Sequence, residues 1–210
     1  MPWTVKDNGG DFQQPPAGVH VARCVRIIDH GTQTGEYQGL PTSRHEFVTS
    51  FELPNERIPR GEFQGRPFLV SKFYTASISE KSNLRRDLTN WRGRDFTKEE
   101  AEGFVIKDLL NKACLLTITL NDSGKSKVTG VTGVPKGTEV PPRVHDLVYF
   151  TMDPDEFDQA VFDSLSDYHK RRIESSPEYK ALFARNMNEP VMTEEAILDI
   201  EEVDDGTVPF

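Results

Sequence analysis

Side chains alternate strictly between residues 45 and 53, and a β-strand with one buried face is the element that fits such a pattern. One set of positions carries His45, Phe47, Thr49, Phe51 and Leu53, and the intervening set carries Glu46, Val48, Ser50 and Glu52. Because successive side chains of a strand point to opposite sides of the sheet, the pattern predicts a strand with two unlike faces. Similar runs predict four more strands, at residues 19–28, 68–74, 113–120 and 126–134. The fold is therefore expected to be mainly β.

The hydrophobic period changes from that of a strand to that of a helix between the third and the fourth predicted strand. Leu84, Leu88 and Trp91 recur at helical spacing and predict the apolar stripe of a helix. Capping boxes at residues 77–80 and 97–100 predict where this helix and a shorter one begin. Three strands, a helix and two strands form the order of the OB-fold, a five-stranded Greek-key barrel that commonly binds oligonucleotides.

The rest of the chain divides by composition. Residues 31–43 hold three glycines and a proline and are interpreted as a loop or a hairpin tip. The slip of the alternation at Cys24–Val25 is interpreted as a β-bulge. Asp153 to Glu156 predicts a helix start, and Ser176–Pro177 a second one. The predicted division is an N-terminal arm (1–17), an OB-fold domain (18–137), a linker (138–152), a helical extension (153–185) and an acidic disordered tail (186–210).

The charge is distributed unevenly along the chain, although the net charge is only −9. Residues 1–137 hold 19 Lys and Arg against 16 Asp and Glu, whereas residues 138–210 hold 6 against 18. From Glu194 onwards there are seven acids and no basic residue. A segment of this kind repels itself and has little apolar surface to bury, so we expect it to be disordered.

A proline and a phenylalanine close the acidic stretch, which reads Asp204-Asp205-Gly206-Thr207-Val208-Pro209-Phe210. A large apolar side chain at the tip of a solvated tail is better explained as something presented to a partner. The tip resembles that of bacterial, and some phage, single-stranded DNA-binding proteins, which end in three aspartates, a hydrophobe, proline and phenylalanine. In this chain two small residues, Gly206 and Thr207, stand between the aspartates and the hydrophobe Val208.

The body of the chain resembles a phage-encoded single-stranded DNA-binding family in residues 74–84 and 91–97, a likeness that extends over roughly residues 17–185. The resemblance implies an OB-fold protein that coats single strands during DNA replication and recombination in the host cytoplasm. It also implies that replication or recombination proteins are recruited through the tip, formed by Asp204, Asp205, Val208, Pro209 and Phe210. Two alternatives stay open: a recombination mediator or strand-annealing protein, and an OB-fold adaptor that binds only proteins.

Catalytic and metal-binding patterns are weak. Cys24 and Cys114 lie in apolar runs and are interpreted as core residues. The five histidines have no metal-ligand spacing, and residues 119–126 lack the first glycine of a phosphate-binding loop. We expect neither an enzyme nor a cofactor or metal site, no membrane span, and homo-oligomers as one possible state.

The candidate DNA-binding residues are aromatic and basic, because single strands are held by stacking rings and by cations that contact phosphates. On the third strand, Lys72 and Tyr74 share a face by alternation and are expected to meet the ligand, with Phe73 pointing away. The full candidate set is Arg44, Phe47, Phe51, Lys72, Tyr74, Arg85, Arg86, Arg92, Arg94, Lys125 and Lys127.

Overall fold

The computed structural model describes residues 13–188, which form a mainly β structure around one six-stranded sheet. The strands are β1 (Gly18–Tyr37), β2 (Leu40–Arg57), β3 (Pro67–Thr75), β4 (Ala113–Leu120), β5 (Ser126–Thr132) and β6 (Val148–Phe150). Their order is β3-β2-β1-β4-β5, all antiparallel, and β6 pairs in parallel with the second half of β1. The predicted mainly β class is confirmed.

The helices follow the predicted order, but two of the predicted starts are wrong. They are α1 (Asn83–Arg92), α2 (Lys98–Glu102), α3 (Gln159–Ser164), α4 (Asp167–Ser175) and α5 (Pro177–Asn188), with a 3₁₀ turn at Ile106–Leu109. The capping box at Thr97 is present. Helix α1, however, is capped by Ser82, and α3 by Asp158, because these side chains accept hydrogen bonds from the free amides of the first turn.

Strands β1 and β2 form one long ribbon. The register shifts between Cys24 and Arg26, which confirms the predicted bulge. Of the two structures predicted for residues 31–43, a loop or a hairpin tip, the hairpin tip is confirmed, because the two strands stay paired as far as Tyr37 and Leu40. Only Gln38 and Gly39 make the turn, both with positive φ, a backbone geometry that suits a two-residue hairpin.

Apolar side chains pack on both faces of the sheet. The inner face, with α1 packed across it, buries the main core, which includes Cys24, Cys114, Leu84, Leu88, Phe51 and Leu116. The outer face carries a second cluster, in which Ile28 and Val48 pack against β6 and helices α3 and α4. The sheet is therefore covered on both sides, and the helical extension belongs to the same packed unit.

The sheet does not close into a hydrogen-bonded barrel. Its edge strands β3 and β5 approach each other but form no ladder in residues 13–188. The end of the arm lies across this gap: Gln13 bonds Arg60 in the β2–β3 loop, and Ser126 Oγ on β5 donates to the Pro15 carbonyl at 2.8 Å. Because the sheet stays open at this edge, the predicted OB-fold barrel is not confirmed and stays a prediction.

The segment predicted as a linker, residues 138–152, lies against the outer face of the sheet and contains β6. The Glu52 carboxylate is buried beneath it and accepts hydrogen bonds from the backbone amides of Val144 (2.9 Å) and His145 (2.7 Å). Helix α5 extends three residues into the predicted tail, and the rest of the tail and most of the arm lie outside the described residues. Within residues 13–188, no helix has the length and apolar character needed to cross a bilayer.

Candidate nucleic-acid interface

Three of the predicted stacking rings belong to the core. Phe47, Phe51 and Tyr74 are buried, and the rings of Phe47 and Tyr74 stack on each other with centroids 5.6 Å apart. Tyr74 is 6 % exposed while Phe73 is 48 % exposed. The side of β3 that was predicted to face the ligand is therefore the buried side. Alternation does place Lys72 and Tyr74 on one side, as predicted, but α1 covers that side.

The Lys72 side chain is also unavailable to a ligand, because it is paired inside the protein. Its ammonium lies 2.5 Å from Oδ2 of the buried Asp87 on α1, and the Tyr74 hydroxyl donates to the same oxygen at 2.9 Å. Burial, reinforced by the charge of Asp87, raises the pKa of Tyr74 and keeps the phenol neutral. Lys72, Tyr74 and Asp87 therefore form a buried polar triad, which corrects the prediction that Lys72 and Tyr74 face the ligand.

The arginines of α1 and of the segment after it are largely paired with acids. Arg85 donates two hydrogen bonds to Asp95, at 2.9 and 3.0 Å, and these lower the pKa of that carboxyl. Arg92 and Arg94 share the Glu100 carboxylate, with one contact of 2.6 Å each. These three cations are partly neutralised, whereas the Arg86 side chain is exposed beside Asp87.

Three predicted cations remain exposed without an acidic partner in the described part of the chain. Arg44 lies on the β1–β2 ribbon, and Lys125 and Lys127 lie at the β4–β5 hairpin. Lys127 also lines a cleft that has a volume of about 530 Å³ and occupies the gap between the edge strands. We call this the β3–β5 cleft.

The β3–β5 cleft combines an apolar floor with cationic walls. Phe68 and Val70 of β3 and Ile118 and Val128 across the gap form the floor. The walls carry Arg26, Arg66 and Lys127, and the ring of Phe63 is 52 % exposed at the rim with the Arg66 guanidinium 6.0 Å from its centroid. Such a combination suits an unstacked base held beside its phosphate.

Arg26 is the most unusual of these cations. Its Nε is buried and has no hydrogen-bond partner among the described residues, and no carboxylate there forms an ion pair with it. One nitrogen each of Arg23, Arg92 and Arg172 is in the same state, but of these four arginines only Arg26 lines the cleft. Because its Nε has no accessible surface, an anion in the cleft would pair with the rest of the guanidinium. A phosphate matches its planar set of donors. The β1 bulge at Cys24–Arg26 sets the direction of this side chain, since it shifts the alternation by one residue.

Sequence reasoning missed Arg26, Phe63 and Arg66. The signal available was small: an arginine directly after a bulge, and a phenylalanine and an arginine in a glycine-containing loop between two strands. Their proximity depends on the approach of β3 to β5, which local pattern does not reveal. Among the described residues, no group of His, Cys, Asp and Glu is arranged to hold a metal ion. Neither protein-family models nor curated proteins gave a match to this chain.

Proposed function

We propose that this protein binds single-stranded DNA, with the β3–β5 cleft as the groove that holds the strand. The observation that carries the proposal is the unpaired Arg26 guanidinium in a cleft that also holds Arg66, Lys127 and the exposed Phe63 ring. Phosphates would be neutralised by the cations while bases would stack on exposed rings. Strand order favours the same conclusion, because an OB-fold is a partly open barrel with this sequence of elements.

The wider role rests on the resemblance described above. A phage-encoded protein of this kind would coat exposed strands with little sequence preference, since ring faces and phosphates are common to all nucleotides. The tip residues 204–210 would then recruit replication or recombination proteins. The following two experiments distinguish this function from that of a strand-annealing protein and from that of an adaptor that binds only proteins.

The wild-type protein is expected to bind a fluorescent oligothymidine more tightly than a duplex, with an affinity that falls as salt rises. Three cleft cations imply a log–log slope of about −2, at roughly −0.7 per phosphate neutralised. Arg66→Ala and Lys127→Ala should each weaken binding and make the slope shallower by a little less than one unit. Fluorescence anisotropy from low to moderate salt measures both effects.

Lys98 provides the matched control, because it is exposed on α2 and does not line the cleft. Lys98→Ala should leave affinity and slope unchanged. If the cleft variants behave like this control, the cleft is not the binding groove. If the wild-type protein does not bind oligothymidine at low salt, the adaptor alternative is favoured and the DNA-binding proposal fails.

Deleting residues 194–210 is expected to tighten single-strand binding, most clearly at low salt, because seven acids that compete with phosphates are removed. Removing Phe210 alone should leave DNA affinity unchanged and abolish capture of partner proteins. A full-length variant separates the charge from the tip if only the five acids before the tip are replaced by their amides: Glu194, Glu195, Asp199, Glu201 and Glu202. If all three variants match the wild-type protein in DNA affinity and in partner capture, the tail has no role in either. A strong loss of strand annealing on deletion of residues 194–210 would favour the annealing alternative.

A further inference from the structure

The outer face of β3 carries a second aromatic feature, separate from the cleft floor. Phe73 projects from this face and meets Tyr168, which lies in the first turn of α4. The two rings are edge to face, with centroids 6.3 Å apart and planes at 82°. We call Phe73 and Tyr168 the aromatic pair. It is built from two elements far apart in the chain, and exists only because the helical extension packs on the sheet.

Exposure distinguishes this pair from other ring contacts of the protein. Phe73 is 48 % exposed and Tyr168 47 % exposed, whereas Phe47 and Tyr74 stack with both rings buried. Two large rings in contact leave a continuous apolar surface open to water. Other apolar side chains such as Val19 and Leu40 are exposed as well, but two rings in contact form a continuous apolar patch, and such patches mark binding sites.

Two histidines lie beneath the aromatic pair and add no charge to it near neutral pH. His30 is fully buried, with its ring 5.9 Å from Phe73 and 6.4 Å from Tyr168, and its Nε2 is 2.9 Å from Nδ1 of His169. Burial, with the neighbouring His169 and Arg172, lowers the pKa of His30 to about 4. Burial and the charges of Arg26 and Arg172 also lower the pKa of His169. The pair therefore rests on neutral imidazoles.

Strand register places the aromatic pair next to the Arg26 end of the β3–β5 cleft. Arg26 is opposite Ser50, and Ser50 is opposite Ser71, whose hydroxyl is 2.9 Å from that of Ser50. The next row on the same face runs from Ile28 through Val48 to Phe73. Rows two residues apart along a strand are separated by roughly 7 Å, about the distance between successive nucleotides of an extended strand.

Two cations that suit an anionic ligand lie near the aromatic pair. Arg26 and the exposed Lys81 have no acidic partner among the described residues. Lys81 lines a hollow of about 340 Å³ beside Phe73, together with the hydroxyls of Ser77, Ser79 and Ser82. Three acids on this side are engaged: Glu46 with Arg172 at 2.6 Å, Asp29 with His45 at 2.6 Å, and Glu178 with Thr32 and His45. Asp167 beside Tyr168 and Glu80 beside Lys81 are exposed and form no ion pair among the described residues.

We infer that Phe73 and Tyr168 form a base-stacking subsite for single-stranded DNA that leaves the β3–β5 cleft past Arg26. The inference rests on the proposed function and extends it, because it makes the helical extension part of the DNA-binding surface. The strand would place phosphates against Arg26 and Lys81 on either side of the aromatic pair, and bases on the exposed ring faces.

Leucine substitutions test the subsite while keeping most of its apolar volume. Phe73→Leu and Tyr168→Leu should each weaken binding of oligothymidine roughly 5- to 150-fold, the range expected for loss of one stacked base. The salt slope should not change, because neither ring carries charge. Phe183, which is partly exposed on α5 and contacts Phe157 and Tyr179 instead, is the matched control, and Phe183→Leu should bind like wild type.

Tyr168→Trp gives a readout that does not depend on lost affinity. Stacking of a base on the introduced indole should quench its fluorescence, with the same saturation point as the anisotropy titration. The wild-type protein, titrated in parallel, gives the signal of its own two tryptophans, Trp3 and Trp91, for subtraction. Leucine variants that bind like wild type, or an indole signal at position 168 that bound DNA leaves unchanged, would overturn the subsite while the cleft proposal stands. A wild-type protein that binds no single strand would overturn both.

Discussion

Asp87→Ala is expected to lower the free energy of unfolding by about 3–5 kcal/mol. Asp87 is buried on α1, where it pairs with the Lys72 ammonium at 2.5 Å and accepts a hydrogen bond from Tyr74 at 2.9 Å. Removing the carboxylate leaves a largely buried ammonium and a buried hydroxyl without their partner, and such groups are costly. Urea unfolding followed by circular dichroism measures the change.

Two further variants separate the ion pair from the packing around it. Tyr74→Phe removes one hydrogen bond and should cost only about 1 kcal/mol. The double change Lys72→Met with Asp87→Leu removes both charges and should be far less damaging than Asp87→Ala, because no unpaired charge remains. A loss below about 1 kcal/mol in Asp87→Ala would mean that water reaches Lys72. Lys72 would then again be a candidate ligand contact.

Glu52→Ala is expected to destabilise the protein by a similar amount, about 3–5 kcal/mol, and to release the segment that crosses the outer face of the sheet. Its carboxylate is buried and accepts from the amides of Val144 and His145, and it lies 2.7 Å from Nδ1 of His145. Limited proteolysis should cut the variant within residues 138–147. Glu62→Ala, at an exposed site in the β2–β3 loop, is the control that should change neither property.

The pH dependence gives an independent check on Glu52. Burial alone would raise the pKa of its carboxyl, but the hydrogen bonds from His145 and Val144 outweigh burial and lower it below 4.5. A folded-state pKa below the unfolded value stabilises the protein above about 4.5, and this contribution is lost as pH falls through the folded value. The free energy of unfolding should therefore fall less steeply with decreasing pH, below about pH 4.5, in Glu52→Ala than in the wild-type protein. An equally steep fall in both proteins would contradict the lowered pKa of Glu52.

His30 acts in a different pH window. Because its pKa falls from 6.5 to about 4 on folding, the unfolded chain takes up a proton first as pH drops through that range, and stability declines there. This decline should persist in Glu52→Ala, so the two groups can be distinguished in one titration of stability.

Local pattern was sufficient for large parts of β1 to β5, for the bulge after Cys24 and for the Thr97 capping box, because each depends on residues close together in the chain. It missed β6, which lies in the segment predicted as a linker. It left a loop and a hairpin tip open for the glycine-containing segment 31–43, and pairing between the two strands decided for the hairpin. Cross-strand pairing outweighs the intrinsic preference of a segment for irregular structure.

What the sequence by itself determined is which residues share a side of an element: Lys72 with Tyr74, and Phe73 opposite. Only the tertiary structure decided which side is buried, because that depends on α1 covering one face of β3 and α4 reaching the other. The tertiary structure also decided which charged side chains are paired. Arg85 and Arg26 look alike in the sequence, yet Arg85 is paired with Asp95 and Arg26 is left unpaired beside the cleft. Alternation follows from backbone geometry within a few residues, whereas burial and ion pairing follow from contacts between segments far apart in the chain.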